Sequence, residues 1–122
     1  MREQPRSHYL LTIARVWVRE IYDPTPGNLE FWAGNLERDC VAERGYELLA
    51  KGETRNLANE PGRWLEFSTN ARGKRVDYLI AVWAHRAWLR KGDWIQVVEF
   101  AADHDVYVKR VESVRSALAT VR

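Results

Sequence analysis

The segment Val76-Asp77-Tyr78-Leu79-Ile80-Ala81-Val82-Trp83-Ala84 is the most apolar stretch of this chain and holds one charged residue. β-Branched and aromatic residues dominate it, so it reads as a central strand of a sheet. Turn signals stand on both sides. Ahead of it, Asn70-Ala71-Arg72-Gly73-Lys74 contains the Asn and Gly that a tight hairpin needs for positive φ, and Arg90-Lys91-Gly92-Asp93 follows it. On the near side Leu65, Phe67 and Thr69 alternate with Trp64, Glu66 and Ser68. On the far side residues 94–100 return antiparallel. Three strands joined this way make a meander.

The flanks change period. Residues 9–20 are β-branched and aromatic, and from Ile13 on Arg15, Trp17 and Arg19 alternate with Ala14, Val16 and Val18, which predicts a strand with one apolar face. Asp23-Pro24-Thr25-Pro26-Gly27 then breaks the chain, because proline lacks a donor and disfavours helix in the residue before it. From Asn28 the apolar residues Leu29, Trp32, Ala33, Leu36 and Cys40 recur at three- and four-residue steps. They predict an amphipathic helix over 28–44, with Asn28 as its N-cap, Glu30 in its first turn and Gly45 as its stop. Residues 46–51 form a weaker strand. Tyr107, Val111, Val114, Leu118 and Val121 predict a final helix over 104–121, with Asp103 and Asp105 where a helix start accepts acidic side chains.

The expected architecture is therefore α+β: a twisted, mostly antiparallel sheet with the 28–44 and 104–121 helices packed on it. It is expected to form one domain over residues 1–122, with 1–8 disordered. At 122 residues and 46% hydrophobic, such a chain can bury a core without staples. Its one cysteine, Cys40, falls on the apolar stripe of the first helix and reads as a small buried hydrophobe. No apolar run approaches the roughly 20 residues needed to cross a bilayer, and the polar start is no signal peptide, which predicts a cytoplasmic protein without a membrane span. Nineteen Lys and Arg against seventeen Asp and Glu leave a net charge of only +2, too little to argue for nucleic acid by itself. Fifteen of those bases are arginine, which forms bidentate pairs with carboxylates and stacks on aromatic rings.

The pattern Trp32, Leu36, Arg44-Gly45-Tyr46-Glu47-Leu48 and Trp64-Leu65-Glu66-Phe67-Ser68 is similar to small bacterial relatives of the PsbP-like α/β/α sandwich. Gly73, Val76-Asp77-Tyr78-Leu79 and Ile95-Gln96-Val97-Val98-Glu99-Phe100-Ala101, before a helix with Val111, Val114 and Leu118, extend the resemblance over residues 28–122. Members include photosystem II extrinsic subunits, a Ran-GTPase-binding protein, bacterial lipoproteins and adaptor chaperones of type VI secretion effectors, most of them non-enzymatic. The resemblance is built of core and turn positions, so it implies a fold and a binding role and carries over no binding residue.

Chemistry-bearing residues are sparse. Asp103-His104-Asp105, with His85 as a further ligand, is the most suggestive metal cluster, yet adjacent loop residues rarely converge on one point and helix capping accounts for both aspartates. No metal or cofactor is expected. Ser68 shares a strand face with Glu66 but no histidine is placed beside it, and no glycine-rich phosphate loop is present, so no catalytic residue is expected and the chain reads as a non-enzyme. Trp83, Trp88 and Trp94 flank Arg86, Arg90 and Lys91. Aromatics among arginines suit an interface hot spot for a protein partner, and equally the filling of space between sheet and helices. Trp83, Arg86, Trp88, Arg90 and Trp94 are the interaction candidates of a non-catalytic adaptor, chaperone-like or homodimeric. The alternative is a single-stranded nucleic-acid module built on residues 72–94, which the weak charge disfavours.

Overall fold

Residues 15–24, 28–86 and 92–118 are described in the computed structural model, and they form β1 (Arg15–Asp23), α1 (Leu29–Arg38), β2 (Glu47–Arg55), β3 (Pro61–Ala71), β4 (Lys74–Arg86), β5 (Asp93–Asp103) and α2 (His104–Leu118). The strands make one sheet in the order β1-β5-β4-β3-β2, and all four pairings are antiparallel. β4 lies in the middle, as its apolar composition requires. β2, β3, β4 and β5 are successive hairpins, and only the connection from β1 to β2, which carries α1, crosses the sheet.

The alternation of β4 divides the core in two. Tyr78, Ile80 and Val82 join Leu65, Phe67, Ile95 and Val97 on a first face, covered by Leu29, Trp32, Ala33, Leu36 and Cys40. Leu79, Ala81 and Trp83 join Val98, Phe100 and Ala102 on the second, covered by Tyr107, Val111, Val114 and Leu118 of α2. One helix thus covers each face, which gives three layers, α/β/α. The stripe read at helical spacing in each helix is the buried one.

Local chemistry departs from the expected in places. Asn28 does not cap α1 with its side chain; its amide instead donates to Asp23 Oδ2 at 3.3 Å, and Trp32 Nε1 donates to the same oxygen at 2.7 Å. The buried Asp23 carboxylate therefore ties the end of β1 to the start of α1. β1 continues to Asp23 and β2 to Arg55, beyond the expected ends at residues 20 and 51, because ladder pairing supplies backbone partners that local propensity does not register. Expectations for residues 1–14 and for Val121 lie outside the described residues. The β3–β4 loop has positive φ at Arg72 (56°) and Gly73 (78°), the two central residues of a type I′ turn, whose twist matches that of a hairpin. The left-handed position expected of Asn70 thus falls on an arginine.

Two glycines have a reason in packing. Gly52 pairs with Trp64 and Gly62 with Trp83 across the strands. A Cβ on Gly52 would lie 2.7 Å from the Trp64 ring, and one on Gly62 would lie 2.5 Å from Trp83 Nε1. Each indole therefore lies over a bare stretch of neighbouring strand. The edge strands β1 and β2 fall outside the two-sided burial. Val16 and Val18 pair with Phe100 and Val98, but α2 packs on β4 and β5, which leaves these valines 60% and 61% exposed. No helix among the described residues is long and apolar enough to cross a membrane.

Arg72→Asn removes most of the left-handed penalty and should raise stability by about 1 kcal/mol in urea unfolding. Gly62→Ala, which drives a methyl into Trp83, should lower it by about 1–3 kcal/mol.

Candidate functional site

α1 ends in a wide turn. Residues Asp39–Glu43 are π-helical, Arg44 N–H bonds to the Asp39 carbonyl at 3.1 Å, and the chain reverses at Gly45 (φ 73°) with Tyr46 N–H donating to the Cys40 carbonyl at 2.9 Å. Such turns are frequent at functional sites. This one buries Cys40 and brings Arg44 and Tyr46 to the end of the first face. There they close a cleft of about 320 Å³ with Trp17 of β1, Glu99 and Ala101 of β5, Val76 and Tyr78 of β4, and Thr69 of β3. The strand register places all six of these sheet residues on the same face.

The cleft floor is aromatic. Tyr46 meets Tyr78 edge-on with centroids 5.6 Å apart, and Phe67 lies 6.2 Å from Tyr46 and 6.3 Å from Tyr78. A chain of charge-assisted contacts crosses it. Arg44 pairs with Asp39 (3.2 Å) at the rim, the Tyr78 hydroxyl donates to Glu99 Oε1, and Arg19 Nε donates to Glu99 Oε2 at 3.1 Å. Burial disfavours the charge on Arg44, but the pull of the neighbouring Tyr46, Tyr78 and Asp39 side chains outweighs that and raises its pKa. Tyr78 is held protonated above the usual tyrosine range, first by burial and then by its bond to Glu99. Burial pushes the Cys40 thiol up to about 11, so it is a packing group rather than a nucleophile. The arrangement lines one cleft with a cation, a hydroxyl and the carboxylate it bonds, within apolar walls. That is the form of a binding site with a few convergent polar groups.

A second polar cluster lies at the same end of the sheet on the opposite face. Asp77, 2% exposed, accepts from Arg75 Nε at 2.9 Å and stands 2.6 Å from His104 Nδ1, which ties the start of α2 to β4. Asp103 pairs with Lys74 at 3.4 Å. Register sets Ser68 opposite Asp77, so the histidine near the Ser68 face that the sequence did not place is supplied by α2. His85 sits instead at the far end of β4, roughly 30 Å along the strand, between Glu60 (3.4 Å) and Glu20 (3.9 Å), and does not join His104. Among the described residues no three His, Cys, Asp or Glu side chains are gathered to hold a metal. Further along α2, Glu66 Oε2 accepts from the Tyr107 hydroxyl at 2.6 Å and from Arg115 at 2.7 Å, and the Arg115 guanidinium lies 5.0 Å over Trp64.

The tryptophans named from sequence separate. Trp83 is 0% exposed in the second-face core, so of its two readings, contact or filling, the structure shows filling; no partner reaches its ring. Trp94 is half-buried on the same face and meets Tyr22 edge-on at 5.4 Å. Arg86 closes β4 opposite Asp93, while Trp88 and Arg90 lie outside the described residues. The cleft was missed because its parts are far apart in sequence. A signal was present, however: Glu99 stands in step with Ile95 and Val97, a carboxylate on an otherwise apolar face.

The layers and the cleft define an α/β/α-layered domain with a five-stranded antiparallel sheet. Its likeness to solved structures is one of fold. The crystal structure of LpqN, involved in cell envelope biogenesis of Mycobacterium tuberculosis, matches with TM-score 0.58 at 9% identity over 87% of this chain, which spans 58% of LpqN. PA94 of Pseudomonas aeruginosa, a protein of unknown function described as a candidate regulator, matches with TM-score 0.59 at 10% identity over 91% of this chain and 83% of its own. No protein-family model and no curated protein sequence matches.

Tyr107, like Tyr78, has its pKa raised by burial and by a carboxylate, here Glu66. In the unfolded chain both hydroxyls ionise near pH 10, whereas folded they hold their protons longer. Above that pH the folded state binds more protons, so stability falls as pH rises, by up to about 1.4 kcal/mol per pH unit for each tyrosine. In an ultraviolet titration these two of the five tyrosines should ionise late, and Tyr107→Phe should make the alkaline decline in stability shallower.

Proposed function

We propose that this chain is a non-catalytic binding module for another protein, which it takes as an extended segment laid along β1. The observation that carries this is β1 itself: a nine-residue strand paired on one side by β5, with Val16, Trp17 and Val18 exposed. An edge of this length offers a row of backbone donors and acceptors, and its apolar side chains add area for contact on both faces. Arg15 and Arg19 on the same strand favour a partner segment with acidic residues. The three-layer arrangement fits the PsbP-like resemblance, whose members mostly bind rather than catalyse. A cytoplasmic location and a single-domain organisation belong to the same reading. A single-stranded nucleic-acid platform has less support, because the Trp83 ring that would stack on bases is sealed in the core.

Panning a random dodecapeptide library against the full chain, followed by amide-shift mapping of the selected peptides, tests it. Shifts and exchange protection are expected at residues 15–20, with binding weakened about tenfold or more by Val18→Asp. Peptides that map elsewhere, or no enrichment, would overturn it. Light scattering at two concentrations shows whether a second copy takes the same edge: a dimer that Val18→Asp dissociates would make the partner this chain itself.

A further inference from the structure

We infer that the segment taken up by β1 has a defined alternating pattern: an acidic residue, three apolar residues with an aromatic in the middle, and a second acidic residue. This rests on the edge reading proposed above and adds the sequence that the edge selects. Side chains of paired strands meet only where they stand on the same face of the sheet, so the parity of β1 dictates that of its partner. Pairing with β5 sets Arg15, Trp17 and Arg19 beside Ala101, Glu99 and Val97 on the first face, and Val16 and Val18 beside Phe100 and Val98 on the second. All five β1 residues are exposed. A partner strand therefore meets cation, indole and cation on one side and two bare valines on the other.

Charge sets the ends of the pattern. Arg15 makes no ion pair among the described residues, and Arg19 uses Nε on Glu99 Oε2 at 3.1 Å, which leaves its terminal N–H groups for a partner. A carboxylate facing each arginine makes a favourable cross-strand pair, and a base there is repelled. Burial sets the middle. Because α2 packs on β4 and β5, Val16 and Val18 gain cover only from a partner's apolar side chains. Trp17, 42% exposed, favours an aromatic residue opposite it. Glu20 lies beyond this five-residue frame, on the valine face, and so meets neither acid. A second copy of β1 fits less well: over residues 15–19 it brings only arginine and tryptophan to the first face, and centred on Trp17 it sets Arg15 against Arg19. The pattern reads the same in both directions, so it holds for a parallel or an antiparallel partner.

Three capped peptides with the same Ser-Gly flanks test the pattern: Glu-Val-Phe-Val-Glu, its isomer Val-Glu-Phe-Glu-Val, and Lys-Val-Phe-Val-Lys. Each is titrated into the isotope-labelled full chain while the amide shifts of residues 15–20 are followed. The first should bind about tenfold or more tightly than either other, because its acidic and apolar cross-strand pairs are all matched. Its lead over the lysine peptide should shrink as salt is added. Arg15→Glu, at an exposed position, should reverse the preference at one end: of the two peptides with a single lysine end, one should then bind more tightly than the doubly acidic one, and which one reports the strand direction. Equal binding of the isomer, an unchanged preference in Arg15→Glu, or no shifts at residues 15–20 with Glu-Val-Phe-Val-Glu would overturn the pattern. Whether the edge takes any segment at all is decided separately by the library selection, so the pattern can fail while the edge reading stands.

Discussion

The structure depends on the two-sided burial of β4. Tyr78, Ile80 and Val82 on one face and Leu79, Ala81 and Trp83 on the other are all nearly inaccessible to water. A strand apolar on both faces is stable only when both are covered, so each face needs its own layer. α1 and α2 meet that need from opposite sides, and the meander sets β3 and β5 against β4 so that the covered area becomes continuous. Trp83 shows how closely the second face is packed: its ring lies over Gly62, where even a methyl group would collide.

Burial is less complete at the sheet ends, and polar groups gather there. On the first face α1 gives way to the π-helical turn and Arg44 reaches the cleft. On the second, Asp77 meets His104 where α2 begins. Removing a carboxylate from water is costly unless donors replace the lost hydration. Glu99 has Tyr78 and Arg19, and Asp77 has Arg75 and His104. The two networks differ in surroundings. Asp77 holds one element to another, whereas Glu99 borders a cavity with aromatic walls and an arginine across it, which is why the cleft, rather than the Asp77–His104 pair, is the candidate site.

Much of the fold was legible because period and parity are local. The two-residue alternation of residues 64–69 and the turn signals on both sides of residues 76–84 found the meander, and the three- and four-residue spacing of Leu29, Trp32, Leu36 and Cys40 found the buried side of α1. The placement of Trp83 with Leu79 and Ala81, opposite Ile80 and Val82, follows from parity alone. The cleft was legible only as an anomaly, the carboxylate of Glu99 in an apolar register. Its other members come from β1, β3, β4 and the turn after α1, which are joined only by long-range pairing.

By itself the sequence determined the buried sides of both helices and of the meander strands and the central place of β4, because these follow from which residues avoid water at each repeat of a helix or strand. Tertiary structure alone decided that β1 pairs with β5 and is left half-covered, that Asp23 rather than Asn28 organises the entry to α1, and that Arg44, Tyr78 and Glu99 converge. Those outcomes depend on strand order and on which layer extends how far. Strand order is set by the packing of the whole sheet, and no local window of sequence contains it.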